Sequence, residues 1–218
     1  PTAFAARIDQ AERDRLRAAL GVGSEHLLVG TVSCLKPQKS PEDFIRVAAL
    51  VCQRMPAAKC VLVGDGALRP QIEAMIHSHG LQDRVTLLGW RRDVASLLKA
   101  FDVFVLTSQW EGLPCAILEA RASRIPIVAT RVGGSAEAII EGIQGTLCPA
   151  GDVRAIASRV CQILGDERLR ADLRNGTQEL PEEFTIQETV KQYQSLYTYL
   201  LHATRPAEDM MKLQPNRL

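Results

Sequence analysis

Glu111 and Glu119 bracket the run Gly112-Leu113-Pro114-Cys115-Ala116-Ile117-Leu118. Gly112 lacks a Cβ, so a ligand can approach its backbone closely. Pro114 suits the first turn of a helix, where its missing N–H is not needed. A helix starting there aims unpaired N–H groups and the positive end of its dipole at the space in front, a setting that favours phosphate. Glu111 stands just before that helix, placed to accept hydrogen bonds from ligand hydroxyls. Glu119 lies about one and a half turns in, with its side chain leaning back toward the start. Cys115, Ile117, Leu118, Ala120 and Ala122 make the helix apolar nearly all round, which predicts burial. A buried carboxylate needs a partner or a ligand. The plainer reading is a loop carboxylate and a solvated helix residue; the apolar surroundings weigh against it for Glu119.

Such residues need a frame to hold them. Short apolar runs at 27–33, 59–63, 85–88, 103–106 and 125–129 have the pattern of strands buried on both faces, with a very short sixth at 146–148. Helical spacing lies between them. Residues 41–55 place Phe44, Val47, Ala48 and Val51 on one stripe, with Ser40 as N-cap and Pro41 at the first helical position. Further helices are expected up to His79 (closed by Gly80), at 93–100, 114–124 and 134–140, and from Asp152 through Leu164, Leu173 and 187–202.

Alternating strands and helices imply right-handed crossovers, hence an α/β fold with a doubly wound, Rossmann-like parallel sheet. Ligands of such sheets bind beyond the carboxyl ends of the strands. That directs attention to the loops at 34–39, 64–67, 89–92, 107–113 and 131–134. Residues 1–24 read as a helical lead-in or linker, 25–204 as the domain, and 205–218 as a loose tail.

Composition narrows the function classes. The 218 residues are 46% hydrophobic and 23% charged, with a net charge of +1. That is ordinary for a globular chain and offers no overall field toward nucleic acid or an anionic membrane. No apolar run reaches the roughly 18 residues of a membrane span. Arg7, Asp9, Glu12, Arg13 and Asp14 stand where a leader peptide would be apolar. Because it opens on Pro1, the chain reads as a fragment or processed piece. The six cysteines form no C-x-x-C pair and lie mostly in apolar runs, which reads as buried free thiols in a reducing cytoplasm. No metal-ligand cluster is evident; His77-x-His79 on a helix does not converge.

The pattern from Glu111-Gly112-Leu113-Pro114 to Glu119-Ala120 resembles the E-x7-E signature of family-4 retaining glycosyltransferases of the GT-B fold. The resemblance extends over residues 25–200. It includes Gly30-Thr31-Val32, Lys36-Pro37-Gln38-Lys39, Val63-Gly64-Asp65-Gly66, Leu88-Gly89, residues 102–106, 126–129, and Val132-Gly133-Gly134 with Glu137. It implies a single GT-B donor domain with carboxyl-terminal helices, whose substrate is a UDP- or GDP-sugar and which needs no cofactor or metal. Glu111 would contact the transferred sugar, Glu119 the ribose hydroxyls, the Gly112 and Leu113 amides the sugar and diphosphate, and Lys39 the diphosphate. A fixed cation there offsets the charge that grows on the leaving group. Gly64, Gly66, Gly133 and Gly134 would line the donor, and base contacts would be largely backbone, around Gly89 to Arg91.

Two departures from the family pattern stand out. Cys34 occupies a place where many members carry Arg ahead of the lysine; it would line the pocket, or Arg91, Arg92 or Lys36 would compensate. The amino-terminal acceptor domain is not in this chain, so the resemblance implies weak donor binding and little transfer alone. A cytoplasmic setting follows, with a membrane-surface acceptor reached through that missing domain, and no nucleic-acid partner. Several rivals remain. Gly64-x-Gly66 lacks the third glycine of a dinucleotide fingerprint, Arg69 standing there, and the phosphate-loop lysine motif is absent. A nucleotide-sugar epimerase or phosphorylase is the enzymatic rival, and a degenerate partner-binding module the non-enzymatic one.

Overall fold

A computed structural model of the protein describes residues 2–6, 8–176 and 182–203. The tail expected at 205–218 lies outside the described residues. Among the described residues six strands form one sheet: β1 (Leu27–Val32), β2 (Ala58–Val63), β3 (Val85–Gly89), β4 (Val103–Leu106), β5 (Ile127–Thr130) and β6 (Gly145–Cys148). The helices are α1 (Thr2–Ala5), α2 (Gln10–Ala19), α3 (Pro41–Arg54), α4 (Arg69–Ser78), α5 (Val94–Ala100), α6 (Cys115–Ala122), α7 (Ser135–Ala138), α8 (Val153–Gly165), α9 (Glu167–Gly176) and α10 (Ile186–Ala203).

All strand pairs are parallel and the order is β3-β2-β1-β4-β5-β6. The chain therefore winds outward from β1 in one direction and resumes from β4 in the other. The switch point, where a doubly wound sheet opens a crevice, lies between β1 and β4. Those two strands pair through Val29↔Val103 and Gly30↔Phe104. Gly30 is required there, because a Cβ would enter the ring of Phe101.

Side chains alternate along each strand and fill two apolar layers. Val29, Leu62, Val105 and Val128 pack with Phe44 and Val51 of α3 and Ile156 and Val160 of α8. Leu28, Val61, Phe104 and Ile127 pack with Leu97 and Leu98 of α5 and Ile117 and Ala120 of α6. Full burial of one such side chain stabilises by about 1.5–3 kcal/mol. These layers make the strand ends rigid platforms for the loops.

Local structure differs from expectation in three places. Ser40 adopts the left-handed conformation (φ 43°) after a 3-10 turn at Pro37–Lys39, and its hydroxyl donates to Asp43 Oδ2 at 2.8 Å, leaving the helix N–H groups uncapped by it. α6 begins at Cys115, with Pro114 just outside as the residue whose carbonyl accepts from Ile117 and Leu118. α6 is also less enclosed than its composition predicts: Ile117, Ala120 and Arg121 are buried, Leu118 is half-buried and Cys115 exposed.

The chain divides into two compact units, Pro1–Glu179 and Leu180–Leu218. The second holds a 3-10 turn at Glu182–Phe184 and α10, on which the Tyr193 and Tyr197 rings lie 6.0 Å apart. The first takes in the residues read as a lead-in. Asp9 caps α2 by accepting from Glu12 N–H at 2.7 Å, and Val22 joins the core. Arg13 and Arg17 reach Asp102, at the amino end of β4, at 2.7 and 3.0 Å, and Arg174 of α9 reaches it at 3.1 Å. Burial alone would raise the Asp102 pKa. The Leu28 N–H and the charges of Arg13 and Arg17 outweigh it and hold the carboxyl below its usual range.

Candidate functional site

The five loops that leave the carboxyl ends of β1 to β5 are tied into one rim. Gly64 N–H donates to Gly89 O at 2.8 Å, Leu35 N–H to Asp65 O at 3.0 Å, Gln109 N–H to Gln38 O at 2.8 Å, and Gly134 N–H to Gly112 O at 2.6 Å. The rim thus runs without a break from β3 across the switch point to β5. Its position over a rigid sheet fixes whatever side chains it carries.

At the switch point the loop after β1 supplies Lys39 and the loop after β4 supplies Glu111. Lys39 Nζ lies 2.5 Å from Glu111 Oε1, and Ser108 Oγ donates to the same oxygen at 2.6 Å. The Glu111 side chain is only 6% exposed and that of Lys39 18%, so solvent screens the pair weakly. Buried hydroxyls support it from below. Thr107 Oγ1 donates to Lys39 O and Ser40 O, at 3.1 and 2.9 Å, and Thr130 Oγ1 to Ser108 O at 2.6 Å. Two adjacent loops are thereby locked on either side of one ion pair. Only one oxygen of Glu111 is occupied; among the described residues Oε2 has no donor.

The glycines divide into two kinds. At Gly64 a Cβ would strike Ser33 O, at Gly66 the Leu35 backbone, at Gly133 Glu111 O, and at Gly134 Gly112 O. Gly64, Gly66 and Gly133 also have positive φ, at 138°, 159° and 44°. These four glycines let neighbouring loops approach each other. Gly112 is different: a Cβ there would meet nothing, and the residue is exposed. Its absent side chain opens the backbone to solvent or ligand. Among the described residues the N–H groups of Gly112, Leu113 and Gly133 have no acceptor. Three N–H groups without acceptors, on the two loops that meet at Glu111, are donors of the kind an oxyanion takes.

Glu119, on the second turn of α6, is half-buried, and no described residue hydrogen-bonds to its carboxylate. Burial pushes its pKa up. It makes no contact with the Lys39–Glu111 pair by hydrogen bond or ion pair. Cys34, just after β1, and Cys115, at the start of α6, are exposed, against the expectation of buried thiols; Cys52, Cys60 and Cys148 are buried. Of the cations considered as substitutes beside Cys34, Arg91 is held bidentate by Asp93 at 2.8 and 2.6 Å. Arg92 lies over the Trp90 ring, 5.4 Å from its centroid. Lys36 is exposed and makes no ion pair among the described residues.

Residues 12–180 match the family described as Glycosyl transferases group 1. The chain belongs to this family. Among curated relatives it is 32% identical over 184 residues to N-acetyl-alpha-D-glucosaminyl L-malate synthase of Bacillus anthracis, covering 84% of this chain and 48% of the relative. It is 31% identical over 181 residues to UDP-Gal:alpha-D-GlcNAc-diphosphoundecaprenol alpha-1,3-galactosyltransferase of Escherichia coli, covering 82% and 47%. The chain thus spans about half the length of the curated relatives it matches. Among solved structures, Anabaena HepE in complex with UDP-glucose superposes with a TM-score of 0.74 at 28% identity, over 81% of this chain and 49% of that one. The carboxyl-terminal domain of LpcC from Francisella tularensis shares the fold, with a TM-score of 0.72 at 21% identity, over 81% and 92%.

For this glycosyltransferase-family chain, the sequence pointed to Lys39, Glu111 and Gly112, which the fold brings to one crevice. It did not single out Ser108, Thr107 and Thr130, which carry the pair from beneath. Their signal was available: small hydroxyl residues at or just after the carboxyl ends of apolar strands, where loops begin, must bond backbone or each other once buried.

Proposed function

We propose that the chain holds a nucleotide-sugar donor, a UDP- or GDP-sugar, across the carboxyl ends of β1 and β4, as the donor-binding part of a retaining glycosyltransferase. The observation that carries this reading is the meeting of Lys39 and Glu111 at the switch point, beside the unpaired N–H groups of Gly112, Leu113 and Gly133. Those N–H groups suit a diphosphate. Lys39 is placed to serve both Glu111 and a phosphate oxygen. As the bond from sugar to phosphate lengthens, negative charge accumulates on the diphosphate, and the lysine with the amides stabilises that charge more than the starting state.

Glu111 has a free oxygen for a sugar hydroxyl. Glu119, half-buried with no hydrogen-bond partner among the described residues, suits the ribose hydroxyls, whose hydrogen bonds would compensate its desolvation. Complexes of HepE with UDP-glucose support a UDP-sugar as the first donor to try. The retaining outcome rests on the E-x7-E likeness. In this reading the acceptor sits on a further domain outside these residues, approached at the inner membrane face or in the cytoplasm, and the chain alone transfers little.

Calorimetric titration with UDP-glucose, UDP-galactose and GDP-mannose tests the proposal. One of them binds, and Lys39→Ala and Glu119→Ala each weaken it about 10–100-fold, the scale of a charge-assisted hydrogen bond. Absence of binding to every nucleotide sugar overturns the reading and favours a partner-binding module. Rapid transfer by the 218-residue chain would contradict the claim that it is incomplete as an enzyme.

A further inference from the structure

The opposite end of the sheet carries a second charged cavity that the donor reading leaves unused. It has a volume of about 420 Å³ and is lined by Leu27 and Asp102, at the amino ends of β1 and β4. Leaving His26 aside, its charged lining is Arg13, Arg17, Arg170 and Arg174 against Asp102 and Glu167. Two positive charges are therefore in excess.

Asp102 cannot absorb that excess. A carboxylate offers about four lone-pair sites, and four donors already fill them. Arg13 and Arg174 bind Oδ1 at 2.7 and 3.1 Å; Arg17 and the Leu28 N–H bind Oδ2 at 3.0 and 2.8 Å. Arg170 gives Nη1 to the carbonyls of Ile163 and Leu164, at 3.2 and 2.7 Å, near the carboxyl end of α8. Among the described residues Arg13 Nη1 and Arg170 Nη2 have no acceptor. Glu167 is exposed and makes no ion pair there. Guanidinium groups with donors to spare, in a concave site, match the oxygens of phosphate or carboxylate.

We propose that this cavity binds a small multivalent oxyanion, of the phosphate or polycarboxylate class, that bridges α2 and α9. The ion is not a reactant, because the cavity lies at the other end of the strands from Lys39 and Glu111. It binds the folded chain alone and so raises thermal stability with the logarithm of its concentration once that exceeds the dissociation constant.

Inorganic pyrophosphate and citrate are the probes, titrated into the full chain at constant ionic strength and followed by calorimetry and thermal unfolding. The chain binds one or both, and a site survives Lys39→Ala, which removes the cation of the donor crevice. Arg170→Ala weakens that site about tenfold or more, as loss of a charge-assisted hydrogen bond implies. Glu167→Gln, at an exposed position that does not threaten folding, tightens it about two- to fivefold by removing a nearby like charge. Relative affinity for the two probes separates phosphate from carboxylate recognition. The proposal is overturned if neither probe binds, or if binding disappears in Lys39→Ala and is unmoved by Arg170→Ala. Should Arg170→Ala fail to fold, an unchanged affinity in Glu167→Gln overturns it instead.

Discussion

The two ends of the β1–β4 seam both carry a buried carboxylate paired with cations, and they differ in how completely the carboxylate is used. At the amino end, Asp102 has both oxygens filled by three guanidiniums and a backbone N–H. At the carboxyl end, Glu111 has one oxygen filled by Lys39 and Ser108 and the other without a donor among the described residues. The backbone follows the same division. Around Asp102 the carbonyls of Lys99, Ala100, Gly23 and His26 are taken up by arginine side chains. Around Glu111 the N–H groups of Gly112, Leu113 and Gly133 have no acceptor among the described residues. A saturated carboxylate is a fastening, here of α2 and α9 onto the sheet. An unsaturated one is a place for a ligand. Burial alone does not distinguish the two.

The contrast breaks most forcefully at the fastening. Asp102→Ala strands several buried guanidiniums and is expected to cost about 3–5 kcal/mol of stability in denaturant unfolding, with donor affinity unchanged in whatever fraction stays folded. Acid acts on the same bond. The folded Asp102 pKa lies below the unfolded one, so its contribution is complete above the unfolded carboxylate value, about pH 4. That contribution is lost as pH falls toward the folded value. Unfolding curves from pH 7 to pH 2 should show this loss in the parent and not in Asp102→Ala.

Gly133→Ala comes next. Its side chain would require a positive φ of 44° and would run into Glu111 O. We expect a loss of about 1–3 kcal/mol, together with weaker donor binding, because the loop that moves carries Glu111. Ser108→Ala is milder. It removes one of the two donors on Glu111 Oε1 and should lower stability by about 1 kcal/mol and donor affinity about two- to tenfold. An unchanged affinity would mean that Lys39 alone orients the carboxylate.

The smallest effect on stability belongs to Glu119. Burial raises its folded pKa above the unfolded one, so ionising it costs stability. That cost appears as pH rises from the unfolded carboxylate value, about pH 4, and is fully developed above the folded value. Glu119→Gln should flatten that part of the pH–stability curve and leave the chain no less stable at pH 7, while weakening the donor. A variant that loses stability at pH 7 would show that the carboxylate has a protein partner.

Much of this contrast was legible in the sequence, and unevenly so. The parallel sheet and the loops at its carboxyl ends followed from the alternation of apolar runs with helical spacing. Glu111 and Gly112 followed from a helix start after a buried strand, and Lys39 from the family likeness. The pairing of Lys39 with Glu111 did not, because two loops far apart in sequence meet only through the order β1 next to β4. Gly64, Gly66, Gly133 and Gly134 were expected to line the donor, and the structure adds that neighbouring backbone takes the room of their missing side chains; sequence shows a missing side chain and not what fills its place. The fastening at Asp102 was invisible for a related reason. Arg13 counted only as a charge where a leader peptide would be apolar and Arg17 was not singled out; only the placing of α2 beside α5 and Asp102 gives them a buried partner.

The most direct measurement is an amide-resolved NMR titration of the chain with UDP. The N–H resonances of Gly112, Leu113 and Gly133 should shift together with a single affinity, and Lys39→Ala should weaken that affinity while leaving the spectrum of the folded chain otherwise intact. If those three amides stay in place at saturating UDP, the crevice at the β1–β4 switch point is not where this protein holds its nucleotide.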